Sequence, residues 1–245
     1  MKQGKIYVVG IGPGNIEHLT VKAKNVLGEC EVVIGYKTYI DLIYSLIKDK
    51  EIISSGMRKE VERSETAFEN ALNGRRVAVV SSGDAGIYGM AGIIFEVVKK
   101  NNSKIDVEII PGVSSVNVSA ALLGAPLMHD FACISLSDLL TDWRVIKKRL
   151  INAGKADFVI TIYNPKSKTR TEEIKKAQKI FLKYKNKKTP VGIVKNAARE
   201  GESVIITTLD KMLEHDIDMS TTIIIGNSST FIFDGRIITP RGYKL

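Results

Sequence analysis

Three short segments of the chain carry small residues in patterns that bring main chain close to a ligand: Gly10-Ile11-Gly12-Pro13-Gly14, Ser81-Ser82-Gly83-Asp84-Ala85-Gly86-Ile87-Tyr88-Gly89 and Pro111-Gly112-Val113-Ser114-Ser115. Each follows a β-branched run, and glycine at a strand end lets amides and carbonyls approach a bound molecule with no Cβ in the way. The first invites a dinucleotide reading, but its spacing argues against one. A dinucleotide fingerprint needs its third glycine one residue later, Pro13 stands where the turn should feed into a helix, and the second strand ends in Ile34-Gly35-Tyr36 without an acid for a ribose hydroxyl. Taken singly, each loop reads equally well as a tight connection capped by Ser or Asp. Three at successive strand ends should converge on one edge of a sheet.

The elements that must hold these turns alternate in the rhythm of a parallel sheet. Strands are expected over 5–9, 31–34, 76–81 and 105–110, with helices over 17–27, 39–47, 60–72 and 88–100. A small-residue helix over 115–123 follows Pro111-Gly112, then strands over 131–135 and 158–163 and helices over 141–153 and 169–184. The tail changes character: strands over 191–195, 203–208, 222–225 and 231–233 have short connections, which favours antiparallel pairing. The expected fold is therefore α/β with two α/β domains, residues 1–113 with a mostly parallel sheet and 114–245 with a mixed sheet. The cleft between them is the default ligand site.

The bulk composition bounds the partners. The 245 residues are 44% apolar, enough for one large core or two of about 120 residues each. No window approaches the roughly 18 uncharged apolar residues of a membrane span, and Met1-Lys2-Gln3-Gly4 runs straight into a strand, so no membrane partner and a cytoplasmic location are expected. Cys30 and Cys133 lack metal-site spacing and read as reduced core thiols. Thirty-six Lys and Arg against 27 Asp and Glu give a charge of +9, which favours an anionic partner: nucleic acid, nucleotide or polycarboxylate. Much of it, at Lys147-Lys148-Arg149, Lys175-Lys176 and Lys183 to Lys188, reads as solvated helix face. No aromatic residues interleave as an RNA-stacking platform requires.

Together, VVGIGPG (Val8 to Gly14), SSGDAGIYG (Ser81 to Gly89) and PGVSS (Pro111 to Ser115) resemble the tetrapyrrole methylase superfamily, and the resemblance covers nearly the whole chain. IGYKTYI (Ile34 to Ile40), MHDFACISLSDLLTDW (Met128 to Trp143), IYNPKSKTR (Ile162 to Arg170) and GNSSTFIFDGRIITPRGY (Gly226 to Tyr243) are similar to its branch that methylates C-17 of precorrin-3B or cobalt-factor III with ring contraction. One departure is Asp142, where that branch has proline before Trp143; Asp is favourable at a helix start.

The resemblance implies S-adenosylmethionine as cofactor, a tetrapyrrole polycarboxylate as substrate, a homodimer, and no nucleic-acid partner. It places the cofactor over Pro13, Gly83, Asp84, Ile87, Tyr88, Ser114 and Ser115, closed by Asn164, Gly192, Thr221 and Thr222. Asp84 would hold the methionine ammonium or a ribose hydroxyl, or else cap a turn. Tyr36, Lys37, Tyr39, Arg58 and Arg63 would bind substrate carboxylates or be solvated, and Ser135 and Asp138 would orient the macrocycle. His129 and Asp130 are the candidates for proton handling, against a structural hydrogen-bonded pair. Tyr163 and Trp143 read as core packing more than a wall for ring stacking. No protein-bound metal is expected, and no iron-sulfur cluster, because the chain ends soon after Gly242-Tyr243 without a cysteine-bearing extension. Alternatives on the same fold are methylation of a different precorrin carbon, a ribosomal RNA 2'-O-methyltransferase and a diphthine-forming enzyme. A non-enzymatic alternative is a nucleotide-binding regulatory module.

Overall fold

A computed structural model describes residues 4–244. The chain divides into two compact units, the first running to Ser115 and the second beginning at Val116.

In unit 1, β1 (Lys5–Gly10), β2 (Val32–Tyr36), β3 (Glu51–Ser55), β4 (Arg76–Ser81) and β5 (Asp106–Ile110) form one parallel sheet in the order β3-β2-β4-β1-β5. The central strands are continuous apolar runs because both faces are covered. Tyr7 and Val9 pack on α1 (Val21–Glu29) and α2 (Lys37–Ile47), whereas Ile6 and Val8 pack on α3 (Glu60–Leu72) and α4 (Ala91–Lys100). Each fully buried Ile or Leu in these layers contributes roughly 1.5–3 kcal/mol relative to exposure.

Unit 2 has α5 (Ser115–Leu123), which opens at the division, β6 (Gly124–Ala125), β7 (Phe131–Ser135), α6 (Trp143–Lys155), β8 (Val159–Tyr163), α7 (Glu173–Phe181), β9 (Pro190–Lys195), β10 (Ser203–Thr208), β11 (Thr221–Ile225), β12 (Phe231–Phe233) and β13 (Arg236–Ile238). Its main sheet runs β10-β9-β11-β8-β7, antiparallel except for the β7–β8 pair, and a small sheet runs β12-β13-β6. The mixed sheet expected for the tail is present. Ile134, Ile160, Ile162, Val191, Ile193, Ile223 and Ile225 face α6 and α7 in one core, with Trp143 packed against its edge.

Several boundaries differ from expectation for local reasons. The first helix begins at Val21, not 17, because Asn15 caps a separate turn over Ile16–His18 and the Thr20 hydroxyl accepts from Ala23 N (3.1 Å) to start α1. Asp142 caps α6 by accepting from Arg144 N (2.7 Å). The helix expected from 169 begins at Glu173, since Ser167 and Arg170 close a turn on each other: Ser167 N donates to Arg170 O (2.9 Å) and Arg170 N to Ser167 Oγ (3.1 Å). The reading of Lys183 to Lys188 as solvated fails at Lys185, whose side chain is 1% exposed and donates to Asp157 Oδ1 (3.1 Å) and Phe158 O (2.9 Å). Cys30 lies in the core, where burial pushes its thiol up to about 12. Among the described residues, no helix is long and apolar enough to cross a membrane.

Candidate functional site

The carboxyl ends of β4, β1 and β5 lie side by side, with Gly10 in register with Ser81 and Val9 with Ile110. The three glycine turns therefore leave one edge of the unit 1 sheet together. They also bond to each other. Gly12 N donates to Gly83 O (3.1 Å) and Gly83 N to Gly12 O (2.7 Å), with both glycines left-handed, at φ 77° and 65°. The third turn presses closer: a Cβ on Gly112 would lie 2.2 Å from Gly83 O and 2.7 Å from Gly10 O.

Asp84 ties this cluster together. Its Oδ1 accepts from Gly86 N (2.8 Å) and its Oδ2 from Gly112 N (2.9 Å), so one half-buried carboxylate fixes the second loop on itself and on the third. Each oxygen retains a lone pair for a further donor. Around it, Pro13, Gly83 and Ser114 are buried, Ser115 is half-buried, and Ile87 and Tyr88 are 43% and 56% exposed. Tyr88 sits at φ 53°, a conformation that costs a non-glycine residue about 1 kcal/mol or more and collects at functional loops. A left-handed tyrosine, buried small residues and a pinned carboxylate make a cradle suited to a small ligand with amine and hydroxyl donors.

The same edge carries cationic candidates. Lys37 opens α2 directly after β2, and Arg58 (φ 63°) follows β3, which pairs with β2 through Tyr36 and Ser55. Both are exposed, while Tyr36 and Tyr39 meet edge to face at 5.1 Å. Arg63 is not available in the same way. It is 5% exposed and spends its guanidinium on Ser55 Oγ (2.9 Å), Gly56 O (2.8 Å) and Glu60 Oε1 (3.1 Å), so it braces the loop after β3.

In unit 2 the candidates separate along the strands. Ser135 and Asn164 meet at the carboxyl ends of β7 and β8, where Asn164 Nδ2 donates to Ser135 Oγ (3.0 Å) and Asn164 takes φ 49°. Asp138 follows on the same loop. Tyr163 is a structural anchor, its hydroxyl accepting from Val116 N (3.0 Å). His129 and Asp130 precede β7 and so lie at its opposite end, beside a pocket of about 580 Å³ lined also by Met128, Phe131, Phe158 and Arg241. Their exposed side chains share no hydrogen bond: His129 Nδ1 accepts from Asp130 N (2.9 Å) and lies 3.9 Å from Asp130 Oδ2. The fold does not bring this pair to Ser135 and Asn164.

Three further cofactor candidates, Gly192, Thr221 and Thr222, have local packing or hydrogen-bonding roles in unit 2. A Cβ on Gly192 would lie 2.3 Å from Leu123 Cδ1, so this glycine makes room for α5. Thr221 exchanges hydrogen bonds with Asp218, donating to Oδ1 (3.1 Å) and accepting from Asp218 N (3.1 Å), while Thr222 is buried beside it. Burial pushes the Asp218 carboxyl up, but hydrogen bonds from Lys195, Ser220 and Thr221 outweigh it and hold the pKa at about 2. A carboxyl depressed on folding stabilises the protein above its ordinary pKa and loses that contribution as pH falls. Asp218→Asn is therefore expected to flatten the fall in melting temperature between about pH 4 and about pH 2, and an unchanged slope would remove Asp218 from acid stability.

One residue at these loops escaped sequence reasoning: Arg170, 9% exposed on the segment after β8. It closes the IYNPKSKTR block, but it stands next to a basic helix and nothing in its spacing assigns it a role apart from surface charge.

Among known proteins, the family described as Tetrapyrrole (Corrin/Porphyrin) Methylases matches residues 5–213. The chain is 51% identical over 246 residues to a protein of Priestia megaterium named cobalt-factor III methyltransferase, covering 99% of this chain and 46% of that protein. It is 49% identical over 238 residues to a Salmonella typhimurium protein named probable cobalt-factor III C(17)-methyltransferase, covering 97% and 99%. A crystal structure of the methyltransferase CobJ superimposes with a TM-score of 0.91 at 30% identity, covering 97% of this chain and all of that one. The chain thus spans about half the length of the first relative and nearly all of the second.

Proposed function

The chain belongs to the tetrapyrrole (corrin/porphyrin) methylases, and from that premise we propose that it transfers a methyl group from S-adenosylmethionine to C-17 of a tetrapyrrole, with coupled ring contraction, in corrin-ring synthesis. The substrate is cobalt-factor III or precorrin-3B, and the half-identical relatives named for the cobalt form favour the first. Cobalt then arrives with the substrate. The observation that carries the reading is the convergence of three glycine turns, two of them pinned by Asp84, in a chain so similar to proteins bearing that name.

The cradle fits the cofactor. The half-buried Asp84 carboxylate, fixed by two amides, accepts from an ammonium or a ribose hydroxyl, and the absence of side chains at Gly83 and Gly86 admits a ligand to the backbone. When bound, the cofactor supplies an electrophilic methyl group. Transfer to carbon is an in-line displacement in which charge on sulfur disappears, so alignment and dryness matter more than a strong base. Pro13 and Ser114 form the buried wall, and Ile87 and Tyr88 present apolar surface that excludes water. Lys37 and Arg58, with the Tyr36 and Tyr39 rings, receive substrate carboxylates, consistent with the charge of +9. Arg63 positions the loop that carries Arg58. His129 and Asp130 precede β7, at the opposite end from Ser135 and Asn164, and this reading gives them no part in the reaction.

The test is anaerobic incubation of the purified protein with S-adenosylmethionine and either cobalt-factor III or precorrin-3B. The expected product has one added methyl and a ring-contracted absorbance spectrum, and the cobalt substrate reacts faster. Binding of S-adenosylmethionine without turnover of either would assign the chain to another reaction on this fold.

A further inference from the structure

Arg170 is a largely buried cation with few protein partners. Its side chain is 9% exposed on the segment that joins β8 to α7. Of the five donors on a guanidinium, only Nη1 makes a hydrogen bond among the described residues, a long one to Pro165 O (3.4 Å). Nε faces Asp138 Oδ1 at 3.8 Å, beyond hydrogen-bond range, and the guanidinium nitrogens that lack a protein partner are not among the fully buried unsatisfied atoms of the described residues, so a ligand can reach them. The carboxylates that face the guanidinium are those of Asp138 and Glu173, and Glu173 is engaged with Lys176 (3.3 Å). Removing a guanidinium from water is costly unless its donors are satisfied, and a bidentate carboxylate satisfies them best. Here the nearest carboxylate stands off by about one ångström.

Asp138 is the more exposed half of this pair. It is 44% exposed on the loop after β7, next to Leu139 and Leu140, which are 65% and 96% exposed. Two adjacent exposed leucines beside a buried arginine match the two chemistries of a tetrapyrrole, an apolar macrocycle face and a rim of carboxylates.

We propose that Arg170 is a substrate-binding residue that exchanges its loose contact with Asp138 for a peripheral carboxylate of the tetrapyrrole, whose apolar face packs on Leu139 and Leu140. This rests on the methylase reading above. Asp138 balances the charge of Arg170 in the free protein and competes with substrate for it. An exchange of this kind predicts opposite signs for the two partners, which a purely structural ion pair does not.

Wild-type turnover of cobalt-factor III, measured first, tests the methylase reading by itself. With that activity in hand, Arg170→Gln is expected to raise the KM for cobalt-factor III by about tenfold to a hundredfold, the loss of one charge-assisted interaction, while the Kd for S-adenosylmethionine is unchanged. Arg170→Lys keeps the charge but not the fork and should recover part of the loss. Asp138→Asn is expected to lower the KM about two- to tenfold. Loss of binding in both Arg170→Gln and Asp138→Asn, with parallel falls in melting temperature, would show a structural pair and overturn the proposal. An unchanged KM in Arg170→Gln would do so as well.

Discussion

Asp84→Ala is expected to weaken S-adenosylmethionine binding by about a hundredfold or more and to reduce methyl transfer in step. The carboxylate holds Gly86 N and Gly112 N at 2.8 and 2.9 Å, and hydrogen bonds to a charged group contribute about 1.5–3 kcal/mol each. Removing both unpins two of the three loops and deletes the acceptor offered to the ligand, and loss of about 2.8 kcal/mol of this organisation is a hundredfold in affinity. Asp84→Asn should do little better, because its amide nitrogen must face one of the two backbone N–H groups. Calorimetric titration with S-adenosylmethionine reads the effect. Wild-type affinity in Asp84→Ala would reduce Asp84 to a turn residue and undercut the proposed cofactor cradle.

Gly112→Ala is expected to destabilise unit 1 by about 3 kcal/mol, the upper end of ordinary overpacking. The new Cβ would meet Gly83 O at 2.2 Å and Gly10 O at 2.7 Å, and these are backbone atoms that cannot rotate away. The gap can open only by separating the second and third turns, so cofactor affinity should fall with stability. Gly28→Ala provides the opposite sign. Gly28 lies in α1, and a methyl group added there would meet nothing within 4 Å among the described residues. Alanine at this position should add about 0.5–1 kcal/mol by helix propensity. Urea unfolding of the two variants separates steric conflict from the generic effect of adding a methyl. Equal midpoints would mean that the loops yield freely.

The glycine turns were legible in the sequence because their signal is local: a β-branched run, then residues that only a close approach of backbone requires. The strand alternation was legible for the same reason, and β4, β7, β10 and β12 have the expected bounds. What could not be read depends on distant partners. Glu51–Ser55 lacks alternation and becomes β3 only because β2 offers an edge to it from Val32 through Tyr36. Gly124–Ala125 is a strand only because Ile237 and Ile238 pair with it. The charged residues show this most clearly. Arg63, Arg170 and Lys185 are indistinguishable by type and spacing from the solvated Lys147 and Lys148, yet burial against Ser55, Asp138 and Asp157 gives each a different task. Proton handling at His129 and Asp130 rested on residue type, and the strand that separates them from Ser135 could not be seen before the sheet was built.

Within the unit 1 sheet, β1 lies at the interior between β4 and β5, which follow some 70 and 100 residues later in the chain. During translation, Ile6, Tyr7, Val8 and Val9 therefore leave the ribosome as an apolar strand with both edges open, and neither edge closes until most of the unit has been made. Pairing at such separation is slow, because loop closure precedes the contacts that reward it. The edges of the first strand thus stay open to wrong pairing until β4 and β5 are made, and the three loops of the cradle come together only when β5 docks.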